Sequence, residues 1–388
     1  MVDFFPIPPR WMDEELVMFD DSVSRFLRDR MPAERLGRWR ADGIVERAAW
    51  TEMGEAGLLG LSISPDYGGA GGDFRHEAVL IRRLGLIGAE GWGVPLHNAI
   101  CAAYIAKYGT AEQRARWLPG IVSGDTITAI AMTEPGAGSD LQGIRTTAQA
   151  SGNGFAINGQ KTFITNGQTA ELILVVAKTD PSLGSRGISL FVVETADADG
   201  FRRGRNLDKI GLEMGDTSEL FFDDVQVPAD NLLGGAAGQG LYQLMKELPK
   251  ERLIIALESL AMIEAALTAT LEYVRGRSAF GQRILDFQNT QFKLAECKTE
   301  ATIARSFCDD CMERLLAGSL DAATASMAKY WVSERAQAIV DTCLQLFGGY
   351  GYMNEYPIAQ MYKDVRVKRI YGGTTEIMKL LIARTLES

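Results

Sequence analysis

The sequence predicts a multidomain α+β protein: an N-terminal α-helical domain, a central β-barrel or sandwich domain and a C-terminal antiparallel helical bundle. Three observations carry this. Apolar residues recur at a helical period over 1–127, short β-branched runs separated by turn residues fill 128–236, and long helical stripes return over 237–388. At 388 residues, the chain exceeds the size at which one hydrophobic core stops growing.

In the first third, Leu16, Met18, Phe19, Val23, Phe26 and Leu27 mark one face of a helix over 13–28. Residues 76–85 and 98–108 read likewise. The glycine-rich stretch 65–72 resembles a phosphate cradle, but no strand-then-helix frame surrounds it, and a turn is the expected form. Strands are expected near 126–132, 154–159, 172–177, 188–193 and 219–227. Leu241, Leu244, Met245 and Leu248 then restart the helical period, followed by helices over 287–316 and 321–347.

Hydrophobic residues make up 46% and charged residues 23%, ordinary for a globular chain. The net charge of −10 leaves no basic footprint for nucleic acid, so any anion site must be local. No bilayer-spanning run is expected, and residues 1–6 lack the pattern of a signal or transit peptide, which favours a cytoplasmic protein or one already processed. Five cysteines, an odd number, favour reduced thiols, and Cys308-x-x-Cys311 has helical flanks and no second pair, so no metal site is expected.

The decapeptide Ala131-Met132-Thr133-Glu134-Pro135-Gly136-Ala137-Gly138-Ser139-Asp140 follows an expected strand. It offers hydroxyls and small residues that let backbone N–H groups approach a ligand. With the stretch 159–167, it resembles the flavin loop of the acyl-CoA dehydrogenases. The resemblance spans residues 13–387 and implies FAD. It places Met132, Thr133 and Ile164 at the cofactor, Phe163 packed on the flavin where many relatives carry Trp, and Thr165 near its N5 edge. Ser139 is left to the cofactor phosphate or the acyl-CoA entrance. The stretch 277–281 with Phe287 and Gln288 resembles the segment that a second subunit contributes; it implies roles for Arg277, Phe280, Phe287 and Gln288. Gln345, Leu346, Phe347, Gly348 and Gly349 resemble the turn at the adenosine end of FAD. Thr374, Thr375 and Glu376 open the last helix, both as an N-cap and as an anion-facing terminus.

Tyr371-Gly372-Gly373-Thr374 departs from the family's commoner Tyr-Glu-Gly-Thr, whose Glu is the catalytic base. Glu251, in Pro249-Lys250-Glu251-Arg252, stands where the long-chain and isovaleryl-type branches carry theirs. Pro249 removes one helical N–H and is expected to bend its helix toward a cleft. By the same resemblance, Ser185 and Arg186 meet the coenzyme A arm, and Tyr242 with Pro249, Lys250, Glu251 and Arg252 lines the acyl side. Tyr371, Gly372 and Gly373 lie beside the thioester, with extra volume expected at Gly372. The implied protein is a homo-oligomer, with a tetramer favoured, that passes electrons to an electron-transfer flavoprotein. An acyl-CoA oxidase, a nitroalkane oxidase-like enzyme and a catalytically silent flavin-binding homologue stay open as alternatives.

Overall fold

The computed structural model describes residues 4–387; Met1 to Asp3 of the N-terminal segment, and Ser388, lie outside the described residues. The N-terminal part holds α1 (Glu14–Arg30), α2 (Ala33–Asp42), α3 (Arg47–Glu55), α4 (Phe74–Leu86), α5 (Ala103–Tyr108) and α6 (Ala111–Ser123). Local chemistry starts these helices: the Asp13 side chain accepts from Leu16 N–H, and Thr110 with Gln113 forms a reciprocal capping box before α6. The stretch 65–72 is a tight turn, since a Cβ on Gly69 would lie 2.2 Å from the Ile63 carbonyl oxygen. Residues Leu96–Ala102 are π-helical, a local widening that the periodic pattern over 98–108 did not signal.

Seven strands form one curled sheet: β1 (Thr128–Ala131), β2 (Thr147–Ser151), β3 (Gly154–Thr165), β4 (Leu172–Lys178), β5 (Ile188–Glu194), β6 (Phe201–Asn206) and β7 (Thr217–Pro228). The order is β1-β4-β2-β3-β7-β6, with β5 antiparallel to β4. The β1–β4 pair is parallel, with Thr128 opposite Leu172. β3 runs antiparallel to β7, and its register slips between Lys161 and Ile164, which makes a bulge around Phe163. Fully buried β4 and β5 read as near-continuous apolar runs, as strands covered on both faces must.

The C-terminal part begins with α7 (Gly240–Gly276), which continues through Pro249 without a break. A hairpin of β8 (Ser278–Ala279) and β9 (Gln282–Arg283) precedes α8 (Gln288–Leu316), α9 (Ala322–Leu346), α10 (Pro357–Asp364) and α11 (Thr375–Ala383). Contrary to the expectation that no apolar run is long enough, α7 has the length and hydropathy to cross a membrane. However, 83% of its most apolar window is buried inside the fold. Leu253, Ile254, Ala256, Ile263 and Leu267 on this helix pack with Val332, Ala336 and Val340 of α9 into the bundle core. Leu244, nearer the start of α7, packs instead with Tyr104 and Ile105 in a separate core, so one helix spans two cores and Glu251 falls between them along the chain.

Candidate active site

Glu251 is 8% exposed, on the α7 face that meets α5. Tyr104 of α5 donates its hydroxyl to Glu251 Oε1 at 2.8 Å. One turn earlier on α7, Glu247 Oε1 accepts from Tyr108 and from Lys107, each at 2.6 Å. The helices thus face each other through two Tyr–Glu rungs, one turn apart on each, as i,i+4 neighbours must be. Burial pushes the Glu251 carboxyl above the usual range; the Tyr104 bond and the Lys250 and Arg252 charges oppose this. Arg252 is 5% exposed, and its Nε finds no partner. Tyr104 and Tyr108 carried no sequence signal, because nothing local marks a tyrosine as the partner of a carboxylate on another helix.

The Tyr371-Gly372-Gly373 turn is held at both ends. Tyr371 donates its hydroxyl to Glu258 Oε2 at 2.8 Å, and buried Lys329 donates to the Gly373 carbonyl at 2.6 Å. Fully buried Lys368 lies 3.1 Å from Glu90 and 3.4 Å from Glu258. Gly372 and Gly373 have φ of +62° and +96°, values that disfavour any side chain with a Cβ. The extra volume expected at Gly372 is not there: a Cβ on it would meet Ile255 Cδ1 at 2.2 Å.

The residues expected at the flavin gather where the loop after β1 meets the bulge in β3. The fully buried Lys161 side chain donates to the Met132 carbonyl at 3.0 Å and to Glu134 at 2.9 Å, and Thr162 N–H bonds the Thr133 carbonyl. Those bonds fix the loop from behind, while Ser139 stays exposed and a Cβ on Gly136 would meet open space. Phe163 stands at the bulge with φ +60° and 68% exposure, so its ring is presented outward at some conformational cost. Ile164 points the other way into the sheet core, and Thr165 is half-buried.

A second group lies at the far end of the bundle. Arg277 caps α7 and sits 5.7 Å over the Tyr350 ring; Phe280, at the hairpin tip with φ +50°, is 95% exposed. Phe287 touches Phe280 edge-on, and Gln288 and Gln345 are exposed. Leu346 and Phe347 pack into the bundle core, the latter stacked on Tyr273 at 4.2 Å, with its carbonyl accepting from the Tyr273 hydroxyl at 3.2 Å. Gly348 and Gly349 open onto free space. Back beside the Gly373 turn, Thr374 caps α11, exposed Glu376 follows, and the buried Thr375 hydroxyl has no partner among the described residues. Near the start of α7, a Cβ on Gly238 would lie 2.5 Å from the Arg186 carbonyl oxygen; this brings the Ser185–Arg186 loop toward exposed Tyr242. Outward aromatic rings, open glycines and an orphaned hydroxyl fit a large ligand such as FAD.

The acyl-CoA dehydrogenase N-terminal, middle and C-terminal domain models match residues 13–125, 129–225 and 238–387. The chain is 46% identical over 381 residues to the mouse mitochondrial long-chain specific acyl-CoA dehydrogenase, covering 98% of this chain and 88% of that one. It is 33% identical to potato mitochondrial isovaleryl-CoA dehydrogenase, covering 96% and 91%. The crystal structure of an acyl-CoA dehydrogenase from Geobacillus kaustophilus superposes with a TM-score of 0.95 at 47% identity, covering 98% of this chain and all of the other. The chain belongs to the acyl-CoA dehydrogenase family. It is an FAD-dependent oxidoreductase of acyl-CoA thioesters.

Proposed function

We propose that this enzyme dehydrogenates a long-chain acyl-CoA to the trans-2-enoyl-CoA with Glu251 as the base. The observation that carries the reading is a buried carboxyl, raised by desolvation and oriented by one tyrosine, one helical turn from the Ile255 side chain that occupies the space beside a turn with no carboxylate. Bound FAD supplies the acceptor for the hydride that leaves the β-carbon. Tyr104 occupies Glu251 Oε1, and among the described residues no hydrogen bond reaches Oε2, so Oε2 takes the α-proton. Burial makes that oxygen a stronger base, while the neighbouring Lys250 and Arg252 charges keep the carboxylate populated before the transfer. The fixed Tyr371–Gly373 turn flanks the thioester, with Tyr242, Pro249, Ser185 and Arg186 on the approach.

In the same reading, Met132, Thr133, Ser139, Phe163, Ile164 and Thr165 hold the flavin half of FAD. Gln345 to Gly349 hold the adenosine side, Thr374 to Glu376 face FAD at the start of α11, and Arg277, Phe280, Phe287 and Gln288 complete the site from a second subunit. The domains divide at 1–127, 128–236 and 237–388. The long-chain preference follows the long-chain specific relative. Electrons leave to an electron-transfer flavoprotein, and the assembly is a homotetramer. The sequence favours the cytoplasm, while the two relatives are named mitochondrial; five buried, unpaired cysteines suit a reducing compartment in either case.

Glu251→Gln keeps the shape and removes the base. The variant should fold, bind FAD and bind acyl-CoA, while turnover and α-proton exchange into D₂O fall by roughly 10²–10⁴-fold. Exchange at the parental rate would transfer the role to another carboxylate.

A further inference from the structure

Behind the Tyr–Glu rungs, α5, α7 and the α8–α9 connection enclose a cleft of about 570 Å³. That is the size of a small-molecule site, and its walls divide by chemistry. Ile63, Phe74, Leu315 and Leu320 supply apolar surface, whereas Lys107, Lys246 and Lys250 supply ammonium groups. Among the described residues the only carboxylate in the lining is Glu247. Its oxygens are already engaged: Lys107 and Tyr108 at 2.6 Å on one, Lys250 at 3.3 Å on the other. Burial alone would raise the Glu247 carboxyl, but the bonds from Lys107 and Tyr108 outweigh it and hold it below the usual range. Glu247 is therefore ionised at neutral pH and balances one of the three lysines. Among the described residues Lys246 has no carboxylate partner, and it lies 5.6 Å over the Tyr242 ring. Lys250 also faces Glu251 and Glu77 behind the wall, so the positive charge open to a ligand is that of exposed Lys246 and of Lys107 beside Glu247, on a chain whose net charge is −10.

We propose that this cleft binds an aliphatic chain ending in a carboxylate, with the head at Lys107 and Lys246 and the chain against Phe74, Leu315 and Leu320. Lysine suits such a head, because a hydrated point charge at the rim can pair with a carboxylate that stays partly wet. Lys107 fits this, with 57% of its side chain exposed. Two sources present this chemistry: the far end of an ω-carboxyl acyl-CoA that reaches through the α5–α7 seam from Glu251, or a free fatty acid. Chain neighbours link the cleft to the reacting centre, since Ala103 precedes Tyr104 and Lys250 precedes Glu251. Only the first source rests on Glu251 being the base.

The test compares the FAD-loaded parent with Lys107→Met, Lys246→Met and the double variant. Lauroyl-CoA, its ω-carboxyl counterpart and free laurate are the probes. If the substrate tail is the occupant, the kcat/KM ratio of ω-carboxyl to plain lauroyl-CoA falls by about fivefold for each part-exposed ion pair removed. Turnover of lauroyl-CoA itself then changes little. If a free fatty acid is the occupant, laurate raises the Tm of the parent and not of the double variant, and it does not compete with lauroyl-CoA. Indifference of all variants to both acidic probes would overturn the proposal. A parent that turns over neither thioester but still binds laurate through the lysines would sink the Glu251 reading and leave the cleft assignment standing.

Discussion

Ile255 fills the space beside Gly372, with its δ-methyl 2.2 Å from where a Cβ on that glycine would sit. Ile255 lies one helical turn beyond Glu251 on α7, so the helix that carries the carboxylate also closes the alternative position. Exchanging the two, as Glu251→Gly with Gly372→Glu, therefore sets a side chain at φ +62° into an occupied site. The left-handed backbone alone costs roughly 1–3 kcal/mol. The double variant should show little α-proton exchange, and adding Ile255→Ala should recover part of it. Equal exchange with and without the Ile255 change would show that the isoleucine does not block the site.

Tyr104→Phe removes the hydroxyl that donates to Glu251 Oε1 and leaves the ring packing in place. That bond lowers the carboxyl against the larger effect of burial, so its loss moves the Glu251 titration upward. A base acts only when ionised; the acid limb of kcat/KM should therefore shift to higher pH, with activity recovered at alkaline pH. An unmoved limb with uniformly reduced activity would assign Tyr104 a purely structural part.

Phe163 is 68% exposed, so truncating it empties no cavity in the folded chain. Phe163→Ala should leave the apoprotein's Tm within about 2 °C of the parent, as for other surface changes, and should weaken FAD. Phe163→Trp should keep the affinity. Titration of FAD into apoprotein checks both, and unchanged affinity in the alanine variant would remove the ring from the flavin wall.

Glu77 is buried beneath Ser62 and Asn98, whose bonds only partly offset the desolvation that pushes its carboxyl to about 7. The folded state keeps a proton that the unfolded chain releases near pH 4.5. This contribution to stability is complete below that pH and is lost as the pH rises through 7. The parent should therefore lose stability relative to Glu77→Gln from acid to alkaline pH in urea unfolding. Parallel pH profiles would contradict the raised pKa.

The helical, β, helical order was legible in the sequence because period and turn chemistry are local. Leu241, Leu244, Met245 and Leu248 lie on one helical face whatever packs against it. The absence of a carboxylate at Gly372 and its presence at Glu251 were legible too, as was Phe163 beside the flavin-loop motif. What tertiary structure alone decided is the environment of those residues. Tyr104 and Glu251 are 147 positions apart, and Ile255 reaches Gly372 across the bundle. No periodicity records such meetings. The raised carboxyl of Glu251, the filled gap at Gly372 and the lysine-lined cleft arise from desolvation and close approach, which exist only once distant segments exclude water together.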